Sequence, residues 1–248
     1  LVTVAGQLAF AAYVAVAYGR AAWRGDFAAW NKVMPHGYVS GDMAGNIAVA
    51  VHLAFAVLIL AAGALQLLPA IRNRAPALHR WNGRVYMALA FTMSLGGLYM
   101  VWGRGTVGDL SQHVAISGNA LLILLFAGMA LHNAIARRFD AHRRWALRLY
   151  LAVGGVWFFR IGLMLWLAIH QAPVGFDPKS FTGPFLTCLA FGQYLVPLAV
   201  LELYFYAQRS HRASARYAFA LGLFVLTVAM GAGIAFAIMG MWIPRIVA

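Results

Sequence analysis

The chain has 248 residues, 63% of them hydrophobic and only 10% charged, where a soluble domain carries about 25% charged residues. Nineteen basic residues outweigh six acids for a net charge of +13, but so apolar a scaffold excludes the polar basic groove of a nucleic-acid binder. The single cysteine, Cys188, excludes a disulfide framework, a thiolate zinc site and covalent haem attachment through C-x-x-C-H.

A bilayer core takes about 20 apolar residues per helix. Seven nearly charge-free stretches meet that length: Leu1 to Tyr18, Ile47 to Ala70, Val85 to Gly103, His113 to Ala136, Ala146 to His170, Thr187 to Ala207 and Tyr217 to Met241. None alternates as a barrel strand does. The expected fold is an all-α integral membrane protein of about seven transmembrane helices, one transmembrane domain over residues 1–248. Spans two to five (47–170) form a central four-helix bundle, with 1–18 and 187–241 peripheral. The first stretch has no initiating methionine or charged leader and reads as a helix, since no A-x-A-type cleavage site is followed by a polar start.

The connecting segments alternate in charge. Twelve arginines follow spans two, four and six (Arg72, Arg74, Arg80, Arg84; Arg137, Arg138, Arg143, Arg144, Arg148; Arg209, Arg212, Arg216) and face one acid, Asp140. The other side carries six basic residues and four acids. The positive-inside rule therefore predicts a cytoplasmic Arg-rich face and an external C-terminus, with some attraction of the basic face to anionic lipid. The longest connection, Gly19 to Asn46, is expected outside as a short aromatic cap.

Two hairpins echo one another. His52 to His79 runs into HRWNGRVY, and His113 to His142 runs into HRRWALRLY, with a one-residue slip. The echo is either a duplication or a coincidence of short motifs. In both hairpins the first helix runs outside to inside and the second returns, so equivalent residues face each other about an axis along the membrane normal. His52 then meets His113 in the outer half, and His79 meets His142 at the inner boundary. Paired imidazoles across a bundle are what non-covalent haem b needs as axial ligands. Arg160, eighteen residues after His142, would share its face on a straight helix and lie at the depth of His52 and His113. An intramembrane charge faces the bundle interior, where a guanidinium suits a haem propionate. Gln66 lies near the His52 face and reaches toward the inner site.

The stretch from His52 to about Arg160 resembles a bacterial family of multi-pass membrane proteins, domain of unknown function 2306. The matching residues are His52, Gly63-Ala64-Leu65-Gln66, Arg72, His79-Arg80-Trp81-Asn82-Gly83-Arg84-Val85-Tyr86, His142-Arg143-Arg144-Trp145, Arg148 and Arg160. This resemblance implies the bacterial inner membrane. More distantly, one histidine per central helix is similar to the cytochrome b-561 group of di-haem membrane proteins. That likeness implies His52 paired with His113 and His79 with His142.

Each candidate has a plainer reading: interhelical hydrogen bonds for His52 and His113, headgroup contact for His79 and His142, and backbone carbonyl partners for Arg160. His36, His132, His170 and His211 read as solvated or interfacial, and Glu202 as a proton relay, a quinol contact or the partner of a nearby cation. The only lysines, Lys32 and Lys179, lie outside the spans, which excludes a retinal Schiff base in a late helix. Di-iron histidine boxes, a P-loop and a G-x-S-x-G elbow are absent from the sequence. The leading expectation is a transmembrane b-type haem electron carrier with one or two haems. It exchanges electrons with quinol or a redox partner, as an electron-transfer subunit or a membrane oxidoreductase. The alternative is a haem-free accessory or binding subunit of a larger membrane complex, with a cytoplasmic-leaflet site for lipid or isoprenoid.

Overall fold

The computed structural model describes residues 1–34 and 36–247. Its helices are α1 (Val2–Trp23), α2 (Met43–Leu67), α3 (Pro69–Arg74), α4 (Pro76–Tyr99), α5 (Leu110–Ile135), α6 (Phe139–Val153), α7 (Gly155–His170), α8 (Pro184–Arg209), α9 (Ala213–Ala237) and α10 (Ile243–Val247). Local chemistry sets many of the boundaries. The side chains of Asp42 and Asp109 accept the backbone N–H of Gly45 and Gln112 and so cap α2 and α5. Proline opens α3, α4 and α8, where its missing N–H costs nothing. A π-helical turn, Met100–Arg104, extends α4, and another, Ile238–Trp242, joins α9 to α10.

Six helices are long and apolar enough to cross a membrane, and the bent pair α6 and α7 makes a seventh crossing if counted as one span. Leu58, Phe91, Leu121, Leu203 and Phe224 are exposed on this exterior, as lipid-facing positions are. The helices outrun the predicted apolar stretches. α4 begins at Pro76, so His79, Trp81 and Arg84 stand on the spanning helix itself. The cap segment is also helical in part, with a 3-10 helix over Phe27–Lys32.

α2 packs on α4, α4 on α5 and α5 on α6. Gly63 of α2 lies against Tyr150 of α6 and closes the four-helix ring, which leaves α2 diagonal to α5 and α4 diagonal to α6. α1 packs on α2 and touches α9 and α10. It is more than a flank: Gln7 is 1% exposed and accepts a hydrogen bond from the Tyr150 hydroxyl inside the bundle.

The predicted straight fifth span is corrected. α6 and α7 meet at a 50° bend, so an extrapolated helix no longer carries His142 and Arg160 on one face. The glycine pair Gly154-Gly155 lets the Gln7 and Asn119 amides approach the backbone more closely than a Cβ would tolerate. Asn119 donates to the Ala152 carbonyl at 3.1 Å beside the break, as a kink within a membrane requires.

Arg104 locks the opposite end of the ring. It donates to the Gly45 carbonyl and Asn46 Oδ1, each at 2.8 Å, and its Nε lies 3.0 Å from Asp42 Oδ2. Its side chain is 7% exposed. Arg104→Ala should therefore destabilise the fold by about 2–3 kcal/mol, the range for breaking a buried pair discounted for the half-open Asp42. A melting temperature unchanged from wild type in the same detergent would contradict this.

Candidate functional site

The four bundle histidines divide between the two ends of the bundle, His79 and His142 at the Arg-rich end and His52 and His113 toward the other, where His113 is the fourth residue of α5 and His52 the tenth of α2. At the Arg-rich end, His79 and His142 are each the fourth residue of their helices, α4 and α6. The two helix starts thus bring the echoed motifs into register at the histidine, and the slip is taken up before the tryptophans. The rings are half-buried and within electrostatic reach of each other. His142 Nδ1 lies 2.8 Å from the Ala130 carbonyl. A carbonyl only accepts, so Nδ1 carries a proton, and in the neutral ring Nε2 then keeps its lone pair, as in a metal-ligating imidazole held by a carbonyl. His79 Nδ1 is buried without a hydrogen-bond partner. Gln66 donates to the His79 carbonyl at 3.0 Å, so it does reach this end, but it holds backbone. Asn82 donates to the Ala62 carbonyl at 2.8 Å and fixes α4 on α2 in the same way.

About two turns further in, the echoed tyrosines Tyr86 and Tyr150 both lie against Gly63. Tyr86 is 5% exposed, and its hydroxyl has no partner.

At the other end, His52 is half-buried, with Nδ1 buried and unpartnered. Arg160 is within electrostatic reach of its ring, although the bend aims Arg160 at α1. His113 is half-buried in the first turn of α5. Its Nε2 lies 3.3 Å from Thr106 Oγ1, and its ring stands edge-on to Trp102. His36, His132, His170 and His211 are exposed. Among the described residues no cluster of three or more metal-ligating side chains forms.

Glu202 pairs with Arg148, Oε1 lying 2.6 Å from Nη2 and 2.8 Å from Nε. The guanidinium of Arg148 also covers the Trp145 and Phe205 rings, and that of Arg144 covers Phe205 from 4.9 Å. A shallow cleft opens here between Asp140, Arg144, Trp145 and Arg148. With Glu202 about half exposed, the pair is worth about 0–1 kcal/mol.

Arg160 sits on a different wall, over the Phe10 ring at 5.1 Å. Phe10 and Tyr13 pack on Trp242, and Tyr13 on Tyr18. This aromatic group joins α1 to the C-terminal segment, and sequence reasoning missed it, as it missed the Arg104 clamp. One signal was available: Gln7 is the only strongly polar side chain between Val4 and Val16, and such a residue in a span points inward.

Neither a curated protein nor a solved structure matches the chain. The sequence pattern of one family, described as predicted membrane protein (DUF2306), matches residues 49–205, from α2 through most of α8. That match takes in all four bundle histidines, Arg160 and the Arg148–Glu202 pair, and covers more than half of the sequence: the chain belongs to the DUF2306 family of membrane proteins.

Proposed function

We propose that this protein is a transmembrane b-type haem electron carrier, with a bis-histidine site at each end of the α2–α4–α5–α6 bundle. One observation supports the reading: four helices each carry one histidine, two toward each end of the bundle, and each pair belongs to helices that stand diagonal across the ring. Three of the four histidines support the reading, while His113 Nε2 lies 3.3 Å from Thr106 Oγ1. His142 spends Nδ1 on a carbonyl and keeps Nε2 for a metal, and the buried Nδ1 atoms of His52 and His79 lack partners. Haem b would supply a one-electron iron couple, and His52 with His113 and His79 with His142 are the side chains that would hold it.

The chain's residues do the rest. His79 and His142 serve the Arg-rich end, and Gln66 holds the His79 backbone in place. His52 and His113 serve the other end, with Arg160 within electrostatic reach of His52. If only one site is filled, Arg160 favours the His52–His113 pair. The Arg-rich face is cytoplasmic and the C-terminus external in this reading, in a bacterial inner membrane. Quinol or a redox subunit exchanges the electrons.

The deciding experiment is a reduced-minus-oxidised optical spectrum of the purified protein. Haem b bands are expected, and their absence after expression with ample haem overturns the reading. A second reading, a haem-free accessory subunit, draws on the Arg144–Trp145–Arg148 cleft as a site for an anionic headgroup or isoprenoid. Copurified lipid, with unchanged assembly after His52→Ala and no haem bands, would favour it.

A further inference from the structure

We infer that Arg160 is the centre of a carboxylate-binding site in the Arg-poor half of the bundle, completed by α1 and the C-terminal segment. A guanidinium offers five N–H donors. The hydrogen bond Arg160 makes is to its own helix, to the Val156 carbonyl at a long 3.3 Å. Its other close neighbour is the face of Phe10.

No acidic side chain answers this charge. There are six carboxylates in the sequence. Asp42 is taken by Arg104 and Glu202 by Arg148. Asp26 and Asp109 cap helices. Asp177 is held below the usual carboxylate range by the backbone N–H of Lys179 and the Ser180 hydroxyl, in the loop after α7. Asp140 lines the cleft at the opposite, Arg-rich end.

Packed on Phe10, the ring under the guanidinium, stand further unused donors. Tyr13, 3% exposed, and Trp242, 2% exposed, each bury a polar hydrogen with no partner: the Tyr13 hydroxyl and the Trp242 indole N–H. The two rings stack at 5.9 Å. Tyr18 and Arg245 lie within electrostatic reach of the same guanidinium. Indole and guanidinium groups only donate, so the missing member is an acceptor, and the unanswered cation makes it an anion.

The surroundings select its type. Arg160 lies six residues into α7, about 15 Å of helix from the His170 end, among aromatic rings. A doubly charged phosphate is costly to desolvate there. A monoanionic carboxylate takes a bidentate guanidinium contact, and its apolar body matches the lipid and the rings. Two sources carry that chemistry: a fatty acid from the bilayer, or a propionate of bound haem. The second rests on the haem reading above, and the first does not.

The test uses the full chain in phosphatidylcholine nanodiscs. A dibrominated stearate is titrated in while tryptophan emission is followed, with its methyl ester as control. In haem-free protein the acid should quench saturably at concentrations about tenfold below the ester, as expected for a hydrogen bond to a charged group. Arg160→Gln should abolish that difference. Tyr13→Phe keeps the ring stack and should weaken binding about threefold, so the inference stays testable if Arg160→Gln does not fold. If the purified protein holds haem and excludes the stearate, Arg160→Gln and reconstitution with haem dimethyl ester should each shift the midpoint potential in the same direction. The inference is overturned if acid and ester quench alike in haem-free protein. It is equally overturned if haem-loaded protein excludes the stearate and its Arg160→Gln variant keeps the wild-type potential. Absence of haem bands defeats the propionate source and the electron-carrier reading, and leaves the stearate result to decide the site.

Discussion

Alanine at His79 or His142 should remove the haem of the Arg-rich end and leave the other spectrum intact, while alanine at His52 or His113 does the reverse. A bis-imidazole iron that loses one ligand is no longer held at both faces, so about half of the haem b absorbance should disappear from each variant of a two-haem protein. The effect on the fold is small by comparison. His142→Ala forfeits one hydrogen bond to the Ala130 carbonyl, about 1 kcal/mol, and His52 and His79 bury Nδ1 atoms that have no partner to lose. Gel filtration should therefore show intact protein with reduced haem content. The pairing can also be checked: His79→Ala with His142→Ala should lose no more haem than either alone, whereas His79→Ala with His52→Ala should lose all of it. Full haem content in all four single variants would sink the ligand assignment.

Gly63→Leu should prevent stable folding, and Gly63→Ala should cost about 1–3 kcal/mol. An added Cβ at this position would lie 3.0 Å from the Tyr86 ring and 3.2 Å from the Tyr150 ring. Neither ring has room to retreat. Tyr86 is buried, and Tyr150 is tied through its hydroxyl to Gln7 of α1. Leucine adds three further carbons to the same gap. Gly97 is the control: nothing lies within 4 Å of a Cβ there, and Gly97→Ala should be neutral or slightly stabilising, because alanine restricts the unfolded backbone. Thermal melting of the three variants in one detergent orders them, and a Gly63→Leu protein that melts with wild type would refute the close packing of α2 on both tyrosines.

Spans and charge asymmetry were legible because each is a property of local sequence. Twenty apolar residues announce a crossing wherever they pack, and arginines cluster at and around the helix ends of one face. The placement of His52, His79, His113 and His142 on four separate helices followed from spacing alone. The bend at Gly154 did not, because it depends on amides from α1 and α5 that approach a glycine pair from elsewhere in the chain. The relation drawn between His142 and Arg160 failed for that reason: counting turns assumes a straight helix. The aromatic group around Phe10, on which Arg160 lies, was hidden in the same way. Tyr13 and Trp242 look like ordinary interfacial aromatics until α1 and the last helices are seen side by side. Glu202 was easier, since a lone acid a few residues inside an Arg-rich end has few alternatives to a neighbouring cation.

The contact between α1 and the C-terminal segment also bears on the order in which the molecule can assemble. Arg20 donates to the Ile246 carbonyl at 2.8 Å, across 226 residues of sequence. At a synthesis rate of roughly 5–20 residues per second, α1 waits in the bilayer for about ten seconds or more before Trp242 and Ile246 emerge. Throughout that interval the inner wall of α1, Gln7 included, has only α2 and then the growing ring to cover it. Closure against α10 is thus a late event in biogenesis. A ribosome that stalls before Trp242 leaves a nearly complete bundle whose Arg160 face is still open to lipid, a species that membrane quality-control proteases should distinguish from the finished fold.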